Sequence, residues 1–160
     1  MVATQDPHPQ VAGKGCQMLR DAGIEVVEFD LPEAQQMIAG FVSRITRKRP
    51  RVVLKSASSL DGAVALASGE SQWITGAAAR KEVQQLRAQS DAVITGAGTV
   101  AADDPQLNVR DPGLLAKPLE QPLRVVLDSA LRAPSNRQIF SDHTLVAVSY
   151  THLRAHETSQ

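Results

Sequence analysis

Ala92-Val-Ile-Thr-Gly-Ala-Gly-Thr-Val-Ala-Ala-Asp-Asp-Pro-Gln-Leu107 is the stretch on which the fold turns. Its first four residues are a short apolar run bounded by turn formers, which predicts a buried strand. Gly96 and Gly98 then let the backbone turn and approach a ligand with no Cβ in the way, and a short helix is expected from Thr99. Strand, glycine turn and helix form half of a parallel βα unit. On spacing alone the two glycines also read as a tight strand-to-helix turn, because the third glycine of a dinucleotide fingerprint is missing.

The same alternation extends outward. Residues 52–55, 123–128 and 144–148 read as strands and 77–89 as a helix, with a proline-bearing loop over 111–122. Strands alternating with helices predict an α/β fold with a mostly parallel sheet and flanking helices. In such sheets ligands bind beyond the carboxyl ends of the strands, so Lys55, the 95–98 loop and Asp128-Ser129 are expected to converge there. On the 77–89 helix, Ala79, Val83, Leu86 and Ser90 share a stripe expected to face the sheet, and Thr75 is the expected N-cap. Before Pro50 the pattern is a smaller α/β piece: helix 15–22 stopped by Gly23, strand 24–27, and helix 33–42 entered after Pro32. Residues 43–50 are polar, basic and end in proline, which reads as a helix end and linker with a domain boundary near Pro50.

Composition narrows the function classes. The chain has 160 residues, 42% of them hydrophobic, with 17 acidic and 17 basic residues. That supports a globular fold and leaves no electrostatic footprint for nucleic acid or an anionic membrane surface. The single cysteine has no internal disulfide partner, and no run has the length of a membrane span, so a cytoplasmic protein acting on a small molecule is expected. The local basic cluster Arg44, Arg47, Lys48, Arg49 and Arg51 raises a nucleic-acid role, but no aromatic residues interleave with it for base stacking, so it reads as a solvated linker.

Several separated words carry more information than the glycines. Leu54-Lys55-Ser-Ala-Ser-Ser-Leu-Asp-Gly62, Ser68-Gly-Glu-Ser-Gln-Trp-Ile-Thr75, Leu86-Arg-Ala-Gln-Ser90 and the run from Thr95 to Arg110, in this order, resemble the reductase half of the bifunctional riboflavin-biosynthesis deaminase/reductase family. The resemblance implies a dihydrofolate-reductase-like sheet and hydride transfer from NADPH to the ribosyl group of 5-amino-6-(5-phosphoribosylamino)uracil. Position by position it implies cofactor contacts at Ala57, Trp73, Gly96, Gly98, Thr99, Asp103 and Ser129. Substrate contacts are implied at Ser71, Arg87, Leu107 and Arg110, with Lys55 and Asp103 polarising the reacting sugar. Homo-oligomers are implied for the full-length protein.

From the residues alone, Arg87 also reads as a solvated helix cation, Trp73 as core, and Asp103 as an acid at a helix N-terminus stabilised by the helix dipole. A non-catalytic nucleotide- or phosphate-binding module is the alternative function.

The ends of the chain carry further expectations. Gln5-Asp-Pro-His-Pro-Gln-Val-Ala-Gly-Lys-Gly15 resembles the end of the family's zinc-dependent deaminase domain, so residues 1–49 are expected to be its remnant and 50–148 the first part of the reductase domain. The His-x-Glu and Pro-Cys-x-x-Cys ligands of such a deaminase are not in the sequence, so no deaminase activity and no metal site are expected. His8 between two prolines reads as a turn residue. Residues 149–160 resemble an out-of-frame tail, and His152 and His156, spaced for one helical face, lack a third ligand at a fitting offset.

Overall fold

The computed structural model describes residues 1–114 and 121–148. The tail, His152, His156 and part of the 111–122 loop lie outside these residues. The chain divides into two compact units, Met1–Ser56 and Ala57–Gln160. The expected boundary at Pro50 and this division both fall in residues 50–59, which have no regular structure.

In the first unit, α1 (Lys14–Asp21) ends where expected, with Gly23 at φ 76° supplying the left-handed turn. The expected strand over 24–27 is reduced to one parallel bridge, Val2 with Glu28, framed by Val2 N–H to Val27 O at 2.8 Å and Phe29 N–H to Val2 O at 2.9 Å. The expected helix over 33–42 is two helices, α2 (Pro32–Met37) and α3 (Ala39–Arg47), which meet at Ile38. The second helix runs through most of the segment read as linker. Ser43 explains why: it is buried, and its hydroxyl donates to the Arg49 carbonyl at 2.9 Å, tying the basic end back onto the helix.

The second unit carries the sheet. Strands β1 (Ala92–Gly96), β2 (Leu123–Leu127) and β3 (Thr144–Ala147) pair in parallel in the order β1-β2-β3. Helix α4 (Ala77–Ala88) precedes β1 and helix α5 (Ala97–Asp103) follows it directly. These elements stand where periodicity predicts them.

The run 52–55 does not form a strand. Val52, Val53 and Leu54 are exposed, because a parallel strand exists only against a neighbour and none of the described residues pairs with this run.

Alternation in the strands sorts the sheet into two faces. Thr95, Val126 and Val146 are in register on the inner face, where Val126 packs with Val100 of α5 and Ile139, all fully buried. Ile94, Val125 and Leu145 are in register on the other face, where Ile94 is 61% and Leu145 53% exposed. Exposed apolar sheet surface favours association. The 160-residue chain is therefore expected to scatter light increasingly with concentration. An Ile94→Lys/Leu145→Lys variant should suppress this with little change in melting temperature, since neither side chain fills the core.

Candidate functional site

Helix α4 turns a different face inward from the one its apolar residues suggest. Besides Ala88 at its end, Arg80, Val83, Gln84 and Arg87 are its partly buried side chains, while Ala79, Leu86 and Ser90 are exposed. Spacings of three, four and seven put these four on one stripe. Its polar members have partners. The Arg80 guanidinium donates to Thr75 O at 2.6 Å, the Arg87 guanidinium to Asn108 O at 3.2 Å, and Gln84 Oε1 accepts the Arg110 N–H at 2.9 Å. The N-cap is Gly76 without a side-chain hydrogen bond, so Thr75 contributes its carbonyl to Arg80 rather than its hydroxyl to the helix.

The loop after α5 faces this stripe. Asp104 leaves the helix at φ 45°, its carboxylate accepts the Gln138 N–H at 2.7 Å and Gln138 Nε2 at 3.1 Å, and these bonds hold its pKa below the usual carboxylate value. Leu107 stands at φ 52°, a left-handed conformation that costs a non-glycine residue about 1 kcal/mol. Its side chain packs against the Val100–Val126–Ile139 core, so a core contact holds the backbone in this state. The turn brings Arg110 beside Arg87. Burial first, and the neighbouring Arg110 charge second, lower the Arg87 pKa. A half-buried guanidinium beside a loop that carries a second arginine is a ready site for an anion.

A shallow open cavity of about 420 Å³ lies in the same unit, lined by Gly69, Glu70, Ser71, Gln72, Trp73, Ala102 and Asp103. Three residues singled out in the sequence, Ser71, Trp73 and Asp103, thus share one surface. Trp73 is 70% exposed and is no core residue. The Arg80 guanidinium lies 4.6 Å from its ring centroid, a cation–π contact. Asp103 is the last residue of α5, so the helix-start reading of this acid is corrected: the dipole there opposes a carboxylate.

The remaining predicted residues are more scattered. Gly96 caps α5 from an extended conformation at φ −95°, and a Cβ on Gly96 or Gly98 would meet nothing within 4 Å, so these glycines keep space open rather than serve a left-handed turn. Thr99 and Ser129 are exposed, Ala57 is half-buried, and Lys55 is an exposed residue of the first unit.

Next to Ser129, Asp128 is 3% exposed and its carboxylate accepts the N–H groups of Ala133 at 2.7 Å and Arg132 at 2.9 Å. These bonds lower its pKa. A depressed folded value means stability present above the unfolded pKa of about 3.9 and lost as pH falls through the lower folded one. Asp128→Asn should therefore melt earlier than the parent at pH 7, and the gap should close below about pH 4 in thermal melts followed by circular dichroism.

Sequence reading missed Arg80, Gln84, Gln121 and Arg124. The polar stripe at positions 80, 84 and 87 was the signal available for the first two. Gln121 and Arg124 carry none, because their partners lie far along the chain: backbone groups of the 104–110 loop for both, and the Asp142 carboxylate as well for Arg124.

The family described as RibD C-terminal domain matches residues 50–159. This chain belongs to that family. It is 48% identical over 155 residues to the riboflavin biosynthesis protein RibD of Haemophilus influenzae, covering 91% of this chain and 42% of that protein. It is 47% identical over 141 residues to RibD of Escherichia coli, covering 82% and 38%. The chain thus spans about two fifths of the length of these curated relatives. Among solved structures, Acinetobacter baumannii RibD, form 1, superposes with a TM-score of 0.78 at 47% identity, covering 97% of this chain and 45% of that one. A Thermotoga maritima protein titled as a diaminohydroxyphosphoribosylaminopyrimidine deaminase/5-amino-6-(5-phosphoribosylamino)uracil reductase superposes with a TM-score of 0.77 at 34% identity, covering 96% and 47%. The parallel sheet with flanking helices is thus the α/β architecture of RibD proteins, as the resemblance implied.

Proposed function

We propose that this chain carries part of the reductase site for 5-amino-6-(5-phosphoribosylamino)uracil, whose ribosyl group becomes the ribitylamino product in riboflavin biosynthesis. The observation that carries the reading is the half-buried Arg87 guanidinium bonded to the loop that carries Arg110, in a family whose members include a protein named as that reductase. Two guanidinium forks suit a phosphomonoester, and Ser71 adds a hydroxyl donor. A non-catalytic phosphate-binding module would need the same two arginines, but it gives no reason for an acid at the cavity lined by Ser71 and Trp73.

The residues present also fit a nicotinamide cofactor. The Trp73 ring is open to solvent on the cavity wall, and the space beside Gly96 and Gly98 is free for close approach. When bound, NADPH supplies the hydride. Trp73 would hold the cofactor at the cavity, with contacts from Ala57, Thr99 and Ser129, and Leu107, Ser71 and the arginines would orient the phosphorylated sugar. Asp103, on the cavity wall, would polarise the reacting sugar and orient its proton donor.

Trp73 is the single tryptophan of the chain, so its fluorescence reports on this cavity. Saturable quenching by NADPH, absent with adenosine, is the expected result. Equal quenching of a tryptophan-containing peptide of residues 68–80 would remove the cofactor from the reading.

A further inference from the structure

The 104–110 loop carries both Leu107 and Arg110, yet among the described residues it pairs with no strand. Side chains from elsewhere hold its backbone. The Arg124 guanidinium, 5% exposed on β2, donates to Gln106 O at 3.3 Å. The Arg87 guanidinium reaches Asn108 O, and Gln84 accepts from the Arg110 N–H.

Between them, Val109 is buried and is held twice by one residue: its N–H donates to Gln121 Oε1 at 2.7 Å, and Gln121 Nε2 donates back to its carbonyl at 3.0 Å. A primary amide has one acceptor and donors on one planar group, so Gln121 reproduces for Val109 the two bonds that a neighbouring strand would make. Gln121 stands just before β2, whose Leu123 N–H bonds to Asp91 O at 2.9 Å, so the clamp is referred to the sheet rather than to another loop.

We propose that Gln121 is a positioning residue which, by clamping Val109 between Asn108 and Arg110, sets the Arg87–Arg110 pair at the separation an anionic phosphate requires. The proposal rests on the reading of those two arginines as a phosphate site. Gln121 itself is not assigned to the ligand. Its effect passes through the backbone: with both bonds gone, Val109 N–H and C=O are left buried and unpaired, and the loop relaxes to regain partners.

The test uses the 160-residue chain, with ribose 5-phosphate as probe and two readouts: affinity by calorimetry, and amide-hydrogen protection at Val109 and Val126 by NMR. Gln121→Ala should lose protection at Val109, keep it at Val126 in the core, and bind ribose 5-phosphate roughly tenfold more weakly. Gln121→Glu keeps the acceptor but loses the donor at neutral pH. Its Val109 protection should return below about pH 4, where the protonated carboxyl donates again, a recovery that lost packing would not produce. Arg110→Ala should weaken binding while leaving Val109 protected.

Unchanged affinity in Gln121→Ala, with binding lost in Arg110→Ala, overturns the proposal and leaves the phosphate site standing. Absence of saturable binding by the parent chain overturns the phosphate site and the proposal with it. If Gln121→Ala loses Val126 protection and so unfolds, the pH dependence of Gln121→Glu decides: no recovery of Val109 at low pH overturns the clamp.

Discussion

Asp103→Asn, in a protein of the relatives' full length, is expected to turn over about a hundredfold more slowly with cofactor affinity little changed. Asn keeps the shape and one acceptor but loses the charge. The structure removes the stabilising role that the sequence allowed for this acid. Asp103 ends α5, where the partial negative charge of the helix terminus disfavours a carboxylate, and among the described residues it makes no hydrogen bond or ion pair. Its exposed position at the cavity shared with Ser71 and Trp73 is what remains to explain it. The melting temperature of Asp103→Asn should therefore equal or slightly exceed that of the parent. Steady-state NADPH oxidation together with a thermal melt checks both halves. Near-parental turnover would return the proton-donor role to Lys55 acting alone or to residues beyond those described.

Arg87→Ala should act on the other kinetic constant. Loss of a charge-assisted contact to phosphate is worth about 1.5 to 3 kcal/mol, so substrate should bind roughly ten- to a hundredfold more weakly, with turnover at saturation largely kept. Arg87 also holds the Asn108 carbonyl, so part of any loss passes through the loop. Arg87→Lys separates the two contributions: an ammonium restores charge but not the planar fork, and a recovery of less than half the lost binding energy is expected if the fork itself matters. Substrate inhibition constants measured with the dephosphorylated analogue supply the control, because that ligand should not distinguish parent from Arg87→Ala.

Much of the fold was legible in the chain. The strands over 92–96, 123–127 and 144–147 and the helix over 77–88 are bounded by Gly, Pro and polar residues, and their periodicity depends on nothing outside themselves. The parallel arrangement followed from the helices between them. The grouping of Ser71, Trp73 and Asp103, and of Arg87 with Arg110, was legible only through whole motifs in a fixed order, since any one of these residues alone has a bland reading.

The tertiary structure decided what depends on partners. Val52-Val-Leu54 has strand composition, but a strand is a property of two segments side by side, and among the described residues this run has no pairing partner. The inward face of α4 was misjudged from its apolar residues because the surface opposite it offers backbone groups: the carbonyl of Asn108 and the N–H of Arg110 call for Arg87 and Gln84. Ser43 extends a helix into basic sequence through one bond to Arg49. Gln121 is the extreme case. Nothing in its neighbours along the chain marks it, since its function is defined by two backbone atoms of Val109, twelve residues before it, and a contact of that kind exists only once the sheet has brought the loop and the start of β2 together.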